Sequence, residues 1–287
     1  MSQSSFGNKF KVTTWGESHG KALGAVIDGC PAGLPLCEED IQKFLDRRKP
    51  GQSKYTTARK EGDLVEILSG VFEGKTTGTP ISLMVRNTDQ RSRDYGNIAY
   101  SYRPGHADYT FDQKYGFRDY RGGGRSSGRE TIGRVAAGAI ASKILEELGI
   151  SICTYTRSIG PVEIASFNKE EIHQNAFYMP DAQAAVKAGE YLEECMKNQD
   201  SAGGVIECRI TGTPAGLGEP VFDKLSALLA HALMSIGAVK AVEIGDGIAV
   251  TTTNSSTDND GSTVKDAEAI KASNHAGVVK DVLRRYS

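Results

Sequence analysis

The sequence predicts an α/β protein with helices and sheets in layers, organised as one domain over residues 1–287. Strand-like apolar runs alternate along the chain with segments in which apolar residues recur at helical spacing, and neither a repeat nor a convincing linker divides it. The composition, 39% hydrophobic and 24% charged, is ordinary for a globular protein with a sizeable core.

The chain begins with two predicted strands and a helix. Residues 9–15 alternate apolar and polar side chains, and residues 22–28 form a second apolar run, so we expect strands on both sides of the loop GESHG (16–20). Apolar residues within 38–48 recur at helical spacing after an acidic first turn, and Pro50-Gly51 follows. This pattern predicts a helix over 38–48.

The next segments predict strands at 64–72 and 79–85 and an ordered polar loop or lid over 86–102. A helix is predicted over 128–148, with one apolar face and a glycine in the stop position. Ser127 and Glu130 have the spacing of a capping box, so backbone N–H groups at the helix start should point at the glycine-rich loop before it.

The second half continues the alternation. We expect a helix over 182–196, a strand over 204–211, a helix over 222–236 and a strand over 239–250. The polar stretch 251–263, rich in Thr, Asn, Ser and Asp, is predicted to be a mobile loop.

Composition also narrows the function classes. No apolar run approaches the roughly 20 residues that span a bilayer, and the start lacks a signal-peptide pattern, so we expect a cytoplasmic protein without membrane association. The five cysteines contain no CxxC pair and cluster with no histidine, which predicts reduced thiols and no metal. The net charge of −2 argues against a nucleic-acid-binding surface.

Charge is nevertheless concentrated in one place. Six arginines and only four carboxylates lie between positions 103 and 134, a stretch that we call the basic island. Its arginines are Arg103, Arg118, Arg121, Arg125, Arg129 and Arg134, and its carboxylates are Asp108, Asp112, Asp119 and Glu130.

The segment RGGGRSSGRE (121–130) predicts a phosphate site. Glycines allow close backbone approach to an anion, a helix N-terminus offers N–H groups, and Arg125 and Arg129 add bidentate donors. A surface turn with solvated arginines is the alternative. The segment is no Rossmann fingerprint, because Ser127 replaces the third glycine, and 70–76 is no P-loop, because three residues rather than four separate its glycines.

Two of the five histidines are candidate general acids. His19 and His106 adjoin glycine in polar loops, where an imidazole can reach a ligand and titrate near neutral pH. His173 and His231 lie in helix-like surroundings typical of structural or exposed histidines, and His275 fits either interpretation.

Several segments resemble those of chorismate synthases, in order and approximate spacing, from Lys9 to Gly247. They are TTWGESHG (13–20), DRRKPG (46–51), RNTDQRS (86–92), RPGHADY (103–109), RGGGRSSGRET (121–131), AGLGEPVFDKL (215–225) and HALMSIGAVKAVEIGDG (231–247). The resemblance implies the layered fold of that family and a homotetramer. It also implies an anti-1,4-elimination, dependent on reduced FMN, that converts the small molecule 5-enolpyruvylshikimate 3-phosphate to chorismate and phosphate. NADPH and an outside reductant remain alternatives for reducing the flavin.

The resemblance also implies residue roles. His19 would protonate or hydrogen-bond the departing phosphate, and His106 would adjust the protonation of the flavin. The substrate's phosphate and carboxylates would be held by Arg48, Lys54, Arg103 and Arg129, and FMN by Arg125, Ser126, Ser127, Gly237 and Ala238. Lys54 stands where many relatives have arginine, which replaces a bidentate contact with a point charge.

The resemblance weakens after Asp246 and almost stops after SNHAG (273–277). Family members continue with GGILGGIS, KPTxS and RHDP segments, whereas here Gly277 is followed directly by VVKDVLRRYS. Either the chain is truncated internally and inactive, or residues are missing from the sequence between Gly277 and Val278. We expect the second, which predicts Cα atoms farther apart there than the about 3.8 Å of a peptide bond.

Two rival interpretations remain. An anion- or RNA-binding module built on the RGGGR loop would be favoured if that loop were exposed and no pocket joined it to His19. A structural relative without catalysis would account for the missing C-terminal motifs.

Overall fold

A computed structural model describes residues 4–53, 55, 62–88, 101–254, 256, 262–266 and 269–272. The chain forms two compact units, Met1–Ile144 and Leu145–Ser287. This division does not test the prediction of one domain over 1–287, which stays a prediction.

The first unit is built on an antiparallel sheet. Its strands are β1 (Ser5–Phe6), β2 (Lys11–Gly16), β3 (Ala22–Asp28), β4 (Val65–Ile67) and β7 (Ile81–Arg86), and a separate hairpin pairs β5 (Val71–Phe72) with β6 (Lys75–Thr76). The five-stranded sheet has the order β1-β2-β3-β7-β4, and every neighbouring pair is antiparallel. Three helices belong to this part of the chain: α1 (Glu38–Arg48), α2 (Asp108–Tyr115) and α3 (Thr131–Glu147).

One face of this sheet forms the main core. Alternate residues of β7 are buried, and so are Leu23, Ala25 and Ile27 of β3, as the two-residue period of a strand requires when one face is covered. The α1 and α3 helices contribute to the same cluster, so helices and sheet form two layers. The cluster includes Leu23, Ala25, Ile27, Ile41, Leu45, Ile81, Leu83, Val85, Ile132, Ala136 and Ile140.

A glycine brings α3 close to the sheet. A Cβ added at Gly133 would lie 2.9 Å from both Thr14 Cγ2 and the Gly24 carbonyl oxygen. Only a glycine therefore allows the first turn of α3 to approach β2 and β3 so closely. The residues just before α3 are held near the end of β2 for the same reason.

The second unit contains a smaller antiparallel sheet. Its elements are β8 (Ser151–Ile159), β9 (Val162–Glu163), α4 (Ala182–Lys197), β10 (Gly204–Thr211), α5 (Leu225–Met234), β11 (Ser262–Asp266) and β12 (Ala269–Ala272). The sheet order is β10-β8-β9, and β11 pairs with β12. Asp181 caps α4 by accepting from the N–H groups of Gln183 and Ala184 at 3.0 and 3.1 Å, and hydrogen bonds from Ala184 and Ala165 lower its pKa to about 2.

The predicted α/β class is confirmed, and most predicted elements are present. The strand 22–28, the helix 38–48 and the strand 204–211 have the predicted bounds. The predicted strand 64–72 is divided into β4 and β5. The helix predicted over 128–148 begins as a 3₁₀ turn, Gly128–Glu130, before α3, and the helix predicted over 222–236 spans only Leu225–Met234.

The strand predicted over 239–250 is wrong. Gly245 and Gly247 adopt positive φ angles of 67° and 56°, which turn the chain, and Gly247–Thr252 forms a 3₁₀ turn. The longest elements that were not predicted are β8 and α2, and the short strands β1, β6, β9, β11 and β12 were not predicted either. Most of the loop predicted over 86–102, part of the loop 251–263 and the junction of Gly277 with Val278 lie outside the described residues.

Candidate active site

His19 lies in the tight turn that joins β2 to β3. The Gly20 N–H donates to the Glu17 carbonyl at 3.1 Å, and the His19 residue is only 4% exposed. Ser18 Oγ lies 3.2 Å from the Gly122 carbonyl oxygen and 3.1 Å from His19 Nδ1. Because a carbonyl oxygen only accepts, the Ser18 hydroxyl donates to Gly122 and accepts from Nδ1–H. This arrangement assigns the Nδ1 proton and makes Nε2 the nitrogen that gains a proton when the ring becomes charged.

The glycine-rich loop packs directly against this imidazole. A Cβ added at Gly122 would lie 2.0 Å from both His19 Nδ1 and Cε1, and Gly122 has a φ of +59°. A larger residue is therefore excluded by the contact and disfavoured by the backbone. The structure brings together His19 and the RGGGR segment, which are about a hundred residues apart in sequence.

Asp63 links two of the predicted substrate-binding arginines. Its carboxylate is fully buried, accepts from Arg48 Nη1 at 2.6 Å and lies 3.0 Å from Arg129 Nη1. Arg48 is at the end of α1, whereas Arg129 lies in the 3₁₀ turn before α3. Two guanidinium groups thus share one carboxylate.

Arg129 has a second partner in Asn87, the residue that follows β7. Arg129 Nε donates to Asn87 Oδ1 at 2.9 Å, and the Arg129 residue is 7% exposed. Asn87 Nδ2 donates to the carbonyl oxygens of Glu17 and Gly20 at 3.0 and 2.7 Å. The arginine and the turn that carries His19 are therefore joined through one amide.

The proposed flavin contacts in the loop make local hydrogen bonds. Arg125 donates to the Gly16 carbonyl at 3.1 Å and to Thr14 Oγ1 at 2.6 Å, which fastens the loop to β2. Ser126 Oγ donates to the Gly123 carbonyl at 2.7 Å, and Ser127 Oγ accepts from the Arg129 N–H at 3.3 Å. Ser127 is thus the predicted N-cap, although of a 3₁₀ turn.

Several backbone N–H groups of this loop, which were expected to face an anion, instead donate to carbonyls within the loop. The N–H groups of Ser126 and Ser127 donate to the carbonyls of Gly123 and Gly124 at 3.0 and 3.4 Å, and that of Glu130 donates to Ser127 at 3.0 Å. The expectation that the helix start directs unpaired N–H groups at the loop is therefore wrong for these positions, because the 3₁₀ turns pair them internally.

Carboxylates within the basic island compensate much of its charge. Arg103 donates to both oxygens of Asp108 at 2.9 and 2.8 Å, and these hydrogen bonds lower the pKa of Asp108 to about 2. Asp112 accepts a hydrogen bond from Arg118 Nη1. Burial raises the pKa of Asp119, but hydrogen bonds from Arg121, together with electrostatic attraction from Arg121 and from His19, outweigh burial, so the net pKa is lowered.

His106 occupies a different environment from His19. It is exposed in the turn before α2, with Nδ1 3.1 Å from the Pro104 carbonyl oxygen, so Nδ1 carries the donated proton. Of the other predicted contacts, Gly237 and Ala238 lie in an exposed turn after α5 in the second unit, and Ala238 has a φ of 72°. Lys54 lies outside the described residues.

Sequence reasoning missed Asp63 and Asn87. Asp63 belongs to no motif, and its partners come from two distant segments. Asn87 lies within RNTDQRS, one of the family-like segments, and that resemblance was a signal that could have identified it. In the part of the chain that the structure describes, no group of three or more His, Cys, Asp or Glu residues could hold a metal ion, and no helix is long and apolar enough to cross a bilayer.

Comparisons with known proteins identify the family of the chain. The chorismate synthase family model matches residues 10–282. The chain is 66% identical over 279 residues to the chorismate synthase of Agathobacter rectalis and 64% identical over 280 residues to that of Lachnoclostridium phytofermentans, covering 96% of this chain and 76% of each relative. A chorismate synthase crystal structure superposes with a TM-score of 0.78 at 33% identity, covering 93% of this chain and 77% of that one.

The match extends over nearly the whole chain and includes the turn of His19, the glycine-rich loop and both arginines that contact Asp63. The chain belongs to the chorismate synthase family.

Proposed function

We propose that this chain is a lyase that converts 5-enolpyruvylshikimate 3-phosphate to chorismate and phosphate. One observation carries the proposal beyond family membership: a buried imidazole, a glycine-rich loop and an arginine held by a buried carboxylate are joined by direct contacts. This arrangement suits the departure of a phosphate, which needs a proton donor and cations in a water-poor site.

The substrate carries one phosphate and two carboxylates, so several cations are needed to bind it. Arg48 and Arg129 are the proposed phosphate or carboxylate ligands, with Arg103 and Lys54 as further cations. Each charge-assisted hydrogen bond contributes roughly 1.5–3 kcal/mol. Loss of one such bond should therefore weaken catalysis about ten- to a hundred-fold.

His19 is the proposed proton donor to the departing phosphate. Ser18 and Gly122 hold the ring through Nδ1, so the proton that moves is the one on Nε2. Little water reaches the ring, since His19 and Ser18 are both 4% exposed. A fixed, dry imidazole acts as a general acid without first reorganising solvent.

The family uses reduced flavin, and we propose reduced FMN for this chain. Arg125, Ser126 and Ser127 are the proposed ligands, because guanidinium and hydroxyl groups suit a phosphorylated, hydrogen-bonding cofactor, and Ser126 is exposed at the loop surface. When bound, the flavin supplies the electron chemistry of an elimination without net oxidation. His106 is proposed to adjust the protonation of the flavin, as the family resemblance implies.

We further propose a homotetramer, as the family resemblance implies, and a cytoplasmic protein that binds neither nucleic acid nor membrane, as the composition predicts. The RNA-binding alternative required an exposed loop with no pocket joining it to His19, and the contact of Gly122 with the imidazole argues against it. Sedimentation equilibrium tests the tetramer.

Anaerobic turnover tests the activity. Addition of substrate to the protein with reduced FMN should change the flavin absorbance and release one phosphate per chorismate. His106→Ala should remain folded and lose most turnover, and a near-normal rate would remove His106 from the mechanism. Absence of phosphate release by the folded wild-type protein would favour an inactive relative, whereas RNA binding with a steep salt dependence would favour the other alternative.

A further inference from the structure

The amide of Asn87 makes three hydrogen bonds that converge from two separate segments. Nδ2 donates to the Glu17 and Gly20 carbonyls at 3.0 and 2.7 Å, and Oδ1 accepts from Arg129 Nε at 2.9 Å. Its orientation is unambiguous, because two carbonyl oxygens require the NH₂ group and an arginine N–H requires the oxygen. The backbone N–H of Asn87 also donates to the Lys21 carbonyl at 3.1 Å, which anchors the residue itself.

The two carbonyl oxygens belong to the ends of the turn that carries Ser18 and His19. Since Gly20 N–H already donates to Glu17 O, the turn is closed at its base, and Asn87 holds both sides of that base. A planar amide with three partners has little freedom to rotate. The position of the imidazole therefore depends on where this amide is held.

Arg129 is held in turn from both sides. Its Nη1 lies 3.0 Å from the buried Asp63, and its Nε contacts Asn87. Movement of the guanidinium toward or away from an anion is therefore transmitted to the amide and from there to the turn. The connection runs through direct contacts in one compact unit.

We propose that Asn87 is a positioning residue that couples the anion-binding Arg129 to the general acid His19. The inference rests on the proposed function, in which both groups act on the same phosphorylated substrate. Their relative placement must then be fixed, because a displacement of about 1 Å can cost roughly a hundredfold in rate.

A matched control exists in the second unit. Asn175 is half-buried like Asn87, and its Nδ2 also donates to two backbone carbonyls, those of Glu171 and Met179, at 2.9 and 2.8 Å. The same substitution there removes the same kind of hydrogen bonds without touching Arg129 or His19.

The coupling can be measured without substrate or flavin. In protein labelled with ¹⁵N at histidine, with the His19 signals assigned by His19→Ala, we expect Asn87→Ala and Arg129→Ala to shift the His19 ring resonances and Asn175→Ala to leave them unchanged. Unchanged His19 resonances in folded Asn87→Ala or Arg129→Ala protein would overturn the proposal. If Asn87→Ala does not fold, Asn87→Ser, which keeps one donor, gives the same comparison.

Kinetics supply the readout that a merely structural residue would not give. Asn87→Ala should lower kcat about ten- to a hundredfold and raise KM, because it displaces both groups. In a His19→Ala background the same change should alter kcat by less than about twofold while still raising KM, since effects of residues that act as a unit are not additive. An equal loss of kcat with and without His19 contradicts the coupling. Failure of the wild type to turn over rejects the proposed function and leaves the resonance test to decide the coupling.

Discussion

Removal of the Asp63 carboxylate tests most directly the buried ion pairs that Asp63 forms with Arg48 and Arg129. The side chain is fully buried between Arg48, 19% exposed, and Arg129, 7% exposed. Asp63→Ala removes the carboxylate that both guanidinium groups contact, at 2.6 Å for Arg48 and 3.0 Å for Arg129. Breaking a buried ion pair by removing one partner costs about 3–5 kcal/mol. We therefore expect the free energy of unfolding to fall by about that amount.

Urea unfolding at neutral pH measures this loss, with Lys143→Met as the matched control. Lys143 of α3 pairs with Asp40 of α1, and both side chains are 22% exposed. Such a pair, which joins α1 to α3 and is partly hydrated, should contribute about 1 kcal/mol or less.

Inorganic phosphate should partly restore the stability of Asp63→Ala, because it supplies the missing negative charge and binds only the folded state. We expect phosphate to raise the unfolding midpoint of Asp63→Ala more than that of the wild type or of Lys143→Met, relative to chloride at equal ionic strength. The reasoning is refuted if Asp63→Ala loses no more stability than Lys143→Met, or if phosphate and chloride act alike on it.

Two further predictions concern the residues around the site. Gly122→Ala should lower the free energy of unfolding by about 1–3 kcal/mol and the rate at least about tenfold, because its Cβ would lie 2.0 Å from His19 and its φ is +59°. Gly138→Ala, which has open space around its Cβ within α3, should instead stabilise the protein by about 0.5–1 kcal/mol at unchanged rate. Similar effects of the two substitutions would contradict the contact between Gly122 and His19. Hydrogen bonds from Arg103 lower the pKa of Asp108 from 3.8 to about 2, so the ionised carboxylate should stabilise the fold by about 2 kcal/mol above pH 4, and this contribution should be lost as pH falls through about 2. In urea unfolding, the loss of unfolding free energy caused by Asp108→Asn should therefore be full at pH 7 and should shrink between pH 4 and pH 2.

The predictable part of the fold was the part with strong local signals. The strand β3 and the helix α1 have clear periodicity and are bounded by a glycine and by Pro50-Gly51, and both have the predicted bounds. The strand β8 was missed because SICTYTRSI lacks a clean alternation of apolar and polar residues, and much of it is exposed. The prediction of a strand over 239–250 did not allow for the turns that Gly245 and Gly247 form.

The candidate site was predictable in its pieces but not in its assembly. His19 and the glycine-rich loop could each be identified from residue type, but their contact depends on how α3 and β2 pack. Asp63 gave no local signal, since a carboxylate before a short strand is ordinary until two arginines from other segments are seen beside it. Tertiary contacts of this kind cannot be derived from spacing along one chain.

Phosphate release by His19→Ala, saturated with 5-enolpyruvylshikimate 3-phosphate and reduced FMN without oxygen, tests most directly whether the buried imidazole acts as the acid. We predict a folded protein with near-normal substrate binding and a kcat at least about a hundredfold below that of the wild type. A kcat within a few-fold of the wild-type value would contradict the account.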